Sequence, residues 1–378
     1  MSHDSRRNMK FRKVCSALAF GAASALALGI PGAAFSASSA APAAKSSSGS
    51  TSGGPSVALS EYKGVEAALP SRYAEPKPGA VKTFTIGFMN PSGGNQNLQA
   101  VQDAAQAETK RLGGRFIAKN DNVDINTQLN NFKQLLVQGA DAILLYPLDP
   151  KALGPAIKQA KEKGVVVIGY DVTNQASDPL PEGYVSQVMQ GRDWQAWSMA
   201  KAMAGAKPGG QIGLIGFAVP VPGIEYLMQR VKYWSEQMGL KVVGRQDNRE
   251  DSAAGGKVAA TALLGANPQL AGIIAYNDPS AAGAAAAARI AGRHISIVGM
   301  NGDDFGAQGV KKGTITATFQ NDAVGQGVQG VIGAYDVLAG LKVPKSIVRP
   351  PRAALTASTV NDVKTWSQQL AELGHSGN

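Results

Sequence analysis

Residues 272–288 read GIIAYNDPSAAGAAAAA. The run opens on Ile273, Ile274 and Ala275 without polar alternation, the pattern of a strand covered on both faces. It closes in alanine-rich sequence that predicts helix. Asp278 before Pro279 reads as the helix start, with Asp278 as N-cap and Pro279 as the first helical residue. Tyr276 and Asn277 thereby fall at the carboxyl end of a buried parallel strand, where open α/β sheets present side chains to ligands. One such junction is ordinarily no more than a polar turn. This chain repeats it.

Working outward, strands are expected at 83–89, 115–118, 142–146 and 165–170, alternating with helices at 95–112, 125–138 and 150–163. A linking stretch, 184–188, leads to a second series: helix 194–203, strand 211–215, helix 224–238, strand 241–244 and helix 253–264. After the opening junction come strand 295–299, helix 305–312, strand 314–319, helix 324–338, an extended piece at 346–355 and a terminal helix at 360–370. Buried strands alternating with helices predict doubly wound parallel sheets. Two consecutive series of similar length imply two like domains facing each other across a cleft.

The chain has 378 residues, 44% of them hydrophobic and 17% charged, the composition of a soluble globular protein long enough for two domains. Its start is different. RRNMKFRK is followed by the apolar VCSALAFGAASALALGI and by small residues such as Ala34-Phe35-Ser36, which predicts a cleaved export signal over 1–37. Cleavage removes Cys15, the one cysteine, so the mature chain has no disulfide or thiol chemistry. Residues 38–55 are almost all Ser, Ala, Gly and Pro, a flexible tether. Up to residue 80 an extended path is expected from Pro70, Pro76 and Pro78, with Val65, Leu69 and Tyr73 touching the body and no chemistry. The formal net charge of +10 is inflated by the signal, where five basic residues face Asp4 alone. The remainder is mildly basic without a long basic run, which does not point to nucleic acid.

Several chemistries lack their residues. His3, His294 and His375 are the only histidines, so no zinc site of the usual His/Cys kind can be assembled. There is no Gly-x-Ser-x-Gly elbow and no Gly-x4-Gly-Lys-Ser/Thr loop. Gly325-Gln-Gly327-Val-Gln-Gly330 matches a dinucleotide fingerprint, but it begins several residues after its strand and no acidic strand end follows. It reads instead as a helix packed closely on a neighbour. No enzyme, metal or cofactor is expected.

What remains is a set of polar residues at successive strand ends: Asn95, Tyr146, Asp171, Asn277, Asn301, Gln320 and Asn321. Their carboxylate and amides give and take directed hydrogen bonds, as a polyhydroxylated ligand needs. The pieces IGFMNPSGGNQNLQAVQDAAQAE, QGADAILLYPLDPKAL, GVVVIGYD, GIIAYNDPSAAGAAAAA and IVGMNGDDFGAQGVKKG resemble the periplasmic sugar-binding proteins of the ribose/galactose type, from Lys82 to Leu355. The resemblance implies a fold of two Rossmann-like lobes joined by a three-segment hinge, the periplasmic binding protein type I architecture. Crossovers are implied near 186–190, 320–324 and 350. The first lobe then holds 81–187 plus 322–350, and the second 188–321 plus 351–378. It further implies a solute-binding protein of an ABC importer, a monomer that hands its ligand to a permease. A sensor, as chemoreceptor partner or repressor, is the alternative, but no helix-turn-helix precedes the first lobe.

Carried over by position, Asn95, Asp171, Asn277, Asn301 and Asn321 fall where that family places ligand-binding residues. Asn97, Met228 and Met300 stand at further such positions, as departures from the pattern. An arginine expected after Asp171 is Val172, and a second falls near Met228. Aromatic rings expected in the first loop and before Asn301 are Asn97, Leu98 and Met300. Tyr146, Tyr170, Trp194, Phe217 and Tyr276 are candidate replacement walls. A site without arginines implies a neutral ligand such as a sugar, a polyol or a related molecule.

Overall fold

A computed structural model describes residues 57–219 and 221–375. The expected signal over 1–37 and the tether to residue 55 lie outside the described residues. Two short 3-10 turns, Leu59–Glu61 and Val65–Ala68, precede the alternating body. The body begins β1 (Thr85–Asn90), α1 (Gln96–Arg111), β2 (Arg115–Asn120), α2 (Ile125–Val137), β3 (Ala142–Leu145), α3 (Pro150–Glu162), β4 (Val166–Tyr170) and β5 (Ser186–Gln190). It continues with α4 (Arg192–Ala206), β6 (Gln211–Phe217), α5 (Pro222–Gln237), β7 (Lys241–Asn248), α6 (Ala253–Ala266), β8 (Leu270–Ala275) and α7 (Asp278–Ile290). The last stretch is β9 (Ser296–Val298), α8 (Asp304–Lys311), β10 (Thr318–Gln320), α9 (Ala323–Leu338), β11 (Ser346–Arg349), β12 (Ala353–Leu355) and α10 (Trp366–His375).

Six parallel strands in the order β11-β5-β4-β3-β1-β2 form the first lobe's sheet. The second is parallel in the order β7-β6-β8-β9. Parallel bridges Val298–Ala317 and Asn301–Gln320 carry it on to β10, which pairs antiparallel with β12. The strands that read as unbroken apolar runs, β3 and β4, are buried at every residue, as a sheet covered on both faces requires. Each sheet is sandwiched. Phe88, Ile168, Tyr170 and Tyr335 pack on the α1 and α9 side of the first, and Phe132, Leu135, Ile143 and Leu153 on the α2 and α3 side. In the second lobe Leu214, Leu227 and Met228 pack under α4 and α5, and Ile273, Ala284 and Leu263 under α6 and α7.

The glycine-rich decoy is the close helix contact expected of it. A Cβ at Gly327 would lie 2.2 Å from the Val101 carbonyl oxygen, so α9 and α1 meet backbone to backbone. Other expectations need correction. Residues 184–188 are not a link, because β5 is an internal strand of the first sheet, and the expected lobe boundary at 187/188 cuts through it. The terminal helix starts at Trp366 and packs on α1 and α9, so it sits on the first lobe rather than the second. The N-cap of α7 is Asn277, whose Oδ1 accepts from Ser280 N at 2.9 Å, which moves Pro279 to the second helical position. Val65 is exposed, whereas Tyr62, Glu66 and Tyr73 of the same segment are buried. Among the described residues, no helix is long and apolar enough to cross a membrane.

Candidate ligand-binding site

The carboxyl ends of β1, β3, β4 and β5 in one lobe face those of β6, β7, β8 and β9 in the other, and a cleft opens between them. Two ring pairs wall it. At the ends of β3 and β4, Tyr146 stacks on Tyr170 with centroids 4.5 Å apart. At the ends of β6 and β8, Phe217 stacks on Tyr276 at 5.4 Å. Each pair bridges neighbouring strands of its own sheet, so both lobes offer an aromatic face, with Leu98, Val123 and Ile224 filling the walls between.

The polar groups are held by the same helix starts that make the fold. Asn95 caps α1, its Oδ1 accepting from Asn97 N and Leu98 N at 3.0 and 3.3 Å. Its Nδ2 reaches across the cleft to Asp251 Oδ2 at 3.0 Å. Asp251 also accepts from the Tyr276 hydroxyl at 2.5 Å and Asn277 Nδ2 at 2.6 Å, both on Oδ1. Burial pushes the Asp251 carboxyl up, against the pull of these three donors. On the other side Asp171 accepts from Gln190 N at 2.7 Å and from Arg192 Nη2 at 2.6 Å. Arg192 is the first residue of α4, so this buried ion pair also spans the two lobes. Gln96 closes the rim by accepting from Asp304 N at 3.0 Å. The lobes therefore touch across the cleft.

Backbone conformation is unusual at this place. Among the described residues five non-glycine residues have positive φ, and four of them line the cleft: Val123 (56°), Asp171 (49°), Asp251 (49°) and Asn301 (115°). Such angles raise the energy of L-residues and gather where a side chain must be aimed. Val123 is the extreme case, being β-branched.

Of the ten expected ligand-binding residues, the structure brings Asn95, Asn97, Tyr146, Asp171, Asn277 and Asn301 to the cleft. Asn321 stands behind it, donating to Asn97 Oδ1 at 3.1 Å and Asn301 Oδ1 at 2.9 Å, and so orients both amides. Among the described residues, the side-chain nitrogens Nδ2 of Asn97 and Asn301 have no hydrogen-bond partner. Three expected residues are elsewhere. Met228 and Met300 are turned into the second lobe's core, as their apolar side chains dictate. Gln320 is bonded to the carboxyl-terminal segment, through Lys364 O and Gln369 Nε2. Of the candidate walls, Trp194 lies away from the cleft, stacked on Tyr62.

The expectation of a site without arginine is corrected by Arg192, and the two stacked pairs are four of the five candidate replacement walls. Gln190 escapes the sequence reading because β5, which it ends, reads as a link. Asp251 follows β7 in Asn-Arg-Glu-Asp-Ser, just before the Ser252 cap of α6. It occupies the same kind of strand end as the residues that were read, and that position was its available signal.

The family model described as periplasmic binding protein domain matches residues 86–342, more than half of the chain. The chain belongs to this family. A D-ribose/D-allose-binding protein of Pseudomonas aeruginosa is 29% identical over 269 residues, covering 68% of this chain and 82% of the relative. A ribose import binding protein of Bacillus subtilis is 27% identical over 284 residues, 74% and 90% of the two chains. Among solved structures, an ABC transporter solute-binding protein of Agrobacterium vitis, bound to α-D-tagatopyranose, superposes with a TM-score of 0.69 at 22% identity. It covers 77% of this chain and 98% of that one. The periplasmic binding protein is thus the solute-binding component of an ABC importer. It works in the periplasm, delivers its ligand to a permease and is not an enzyme.

Proposed function

We propose that the cleft captures a neutral, polyhydroxylated solute, a sugar or polyol, which bridges the lobes and stabilises the closed form. The charges that line it carry this reading: among the described residues Arg192 is its one cation, already engaged by Asp171, and Asp251 adds a carboxylate with no cation among its hydrogen-bond partners. An anion entering here would meet no free positive charge and one negative one. Hydroxyl groups can accept from Asn97 Nδ2 and Asn301 Nδ2 and donate to the open lone pair of Asp251. The C–H faces of a sugar ring suit the Tyr146 and Phe217 stacks. The relatives' sugars support the same class. A ligand that touches both lobes favours the closed state by the contacts it makes only there.

The lobes divide in this reading at Gln190, Asn321 and Arg349, with 366–375 on the first, and residues 1–37 are removed on export. The test is a thermal-shift panel of D-ribose, D-allose, xylitol and myo-inositol against phosphate and citrate, since a ligand that binds only the native state raises Tm. One or more neutral compounds should raise it, and Asn97→Ala should abolish the rise. Tight binding of phosphate or citrate, with no response to the neutral set, refutes the reading.

A further inference from the structure

The segment 57–81 precedes the family match and lines no part of the cleft. It is nevertheless fastened to both lobes. On the second lobe, Tyr62 stacks on Trp194 with centroids 4.9 Å apart and donates to Asp193 Oδ2 at 2.7 Å, while Trp194 Nε1 donates to Leu59 O at 3.0 Å. On the first, Tyr73 N donates to Gln329 Oε1 at 2.6 Å, its hydroxyl lies 2.7 Å from Ser186 Oγ, and Val348 N donates to Pro70 O at 2.8 Å. Between these anchors lies Glu66, 9% exposed.

Helix α4 has no side-chain cap of its own, because Gly191 stands at its N-cap. Glu66 supplies one. Its Oε1 accepts from Asp193 N at 3.2 Å and its Oε2 from Trp194 N at 2.9 Å, satisfying two amide groups that a helix start leaves open. The approach is close: a Cβ at Gly191 would sit 3.2 Å from Glu66 Oε2. The turn held in this way begins with Arg192, whose guanidinium donates to Asp171 at 2.6 Å and Gln195 Oε1 at 3.2 Å. Its Nε is buried without a partner, so the side chain is aimed by its two terminal nitrogens and by the turn that carries it.

Taking the cleft as the solute site, we propose that residues 57–81 form a strap across the hinge, and that its Glu66 is a positioning residue that sets Arg192 against Asp171. The strap joins the lobes in addition to the three chain crossings, and it does so at the helix start that reaches the cleft.

The surroundings make this hold sensitive to pH. Burial pushes Glu66 up to about 7, with Asp193 and Asp171 adding to the rise and the two amide bonds opposing it. The groups facing it are those two acids, Tyr62 and Tyr226; Asp193 is engaged by Arg230, Tyr62 and Trp234, and Asp171 by Arg192. Above about pH 7 Glu66 is a carboxylate with both oxygens accepting. Below it, a proton occupies one oxygen and the grip on the turn weakens.

The experiment compares the full chain with its Glu66→Gln variant at pH 6 and pH 8. It reads exchange protection of the Arg192 Nε–H by NMR, and affinity for D-ribose by calorimetry. In the unmodified protein, protection should be about tenfold higher at pH 8 than at pH 6. The variant should show the lower value at both, with D-ribose bound about fivefold more weakly than by the unmodified protein at pH 8 and equally at pH 6. A variant with lowered Tm but unchanged Arg192 protection and pH profile makes Glu66 a purely structural cap and overturns the proposal. If D-ribose binds neither protein, the sugar reading fails on that compound and Arg192 protection alone decides. If the variant does not fold, a flat protection profile in the unmodified protein between pH 6 and pH 8 overturns the proposal.

Discussion

Replacing Asp251 by asparagine should disable one particular bond across the cleft. The Tyr276 hydroxyl and Asn277 Nδ2 both donate to Oδ1, and an amide oxygen in that place can keep both. Asn95 Nδ2 donates to Oδ2, 3.0 Å away, where the substituted side chain presents its own N–H. Donor then faces donor, and the tie between lobes is lost. The backbone is not disturbed, since asparagine tolerates the φ of 49° found there. A hydrogen bond to a charged group contributes roughly 1.5–3 kcal/mol. Because this one exists only with the lobes closed, closure should lose about that much. At about 1.4 kcal/mol per factor of ten, affinity should fall roughly 10- to 100-fold. Calorimetry with whichever neutral compound raises Tm gives the affinity, and small-angle scattering gives the fraction closed without ligand. Asn95→Ala should lose the share that belongs to this tie, Asp251→Asn also gives up the acceptor offered to the ligand, and the double variant should lose little more than Asp251→Asn alone. Strictly additive losses, or unchanged compaction and affinity, would refute the assignment of this bond to closure.

Other consequences can be measured on the same protein. Gly283→Ala should destabilise by about 1–3 kcal/mol, since its Cβ would lie 2.2 Å from the Ala253 carbonyl oxygen where α6 and α7 cross. Gly265→Ala, with nothing within 4 Å, should stabilise by roughly 0.5–1 kcal/mol, and denaturant melts distinguish the two. Asp303 and Asp278 are buried beside each other, and burial pushes Asp303 from 3.8 up to about 7 and Asp278 well above its usual range. A raised carboxyl favours the fold while protonated, so its contribution is complete below pH 3.8 and is lost as pH rises to about 7. Tm should accordingly fall between pH 5 and pH 8, and Asp278→Asn should flatten that slope. Asn321→Ala should leave Tm within a few degrees but weaken ligand binding about tenfold, because Asn97 and Asn301 lose the donor that orients them.

The alternation of strands and helices was legible because the strands are continuous apolar runs and most helices open on a side-chain cap. That same regularity hid β5. Its sequence, Ser-Gln-Val-Met-Gln, breaks the apolar run with glutamines, and these are buried on polar partners that only the folded sheet supplies, such as Thr173 and Ser346 for Gln187. Asn95 and Asn277 were readable as strand-end amides, although each also caps a helix. Asp303 and Asp322 occupy equivalent positions and serve as caps, so strand-end polarity alone does not separate cap from ligand contact. Arg192 could not be read this way. It belongs to the cleft by virtue of a long side chain crossing from one lobe to the other, which strand-end position does not reveal. Met228 and Met300 came from family position and failed on chemistry, since unbranched apolar side chains beside a core join it.

The first sheet is completed by a segment that arrives late. Its strand β5 (Ser186–Gln190) remains an open edge until β11 (Ser346–Arg349) docks, and Tyr170 lies uncovered on one side until α9 (Ala323–Leu338) is laid over it, far along the chain from β1 (Thr85–Asn90). The amino-terminal half is thus denied a finished hydrophobic interior while it is being synthesised. The first sheet and its α1–α9 face therefore close as a unit only when residues 323–349 are in place, so a chain shortened before α9 should leave Tyr170 and the edge of β5 open to solvent.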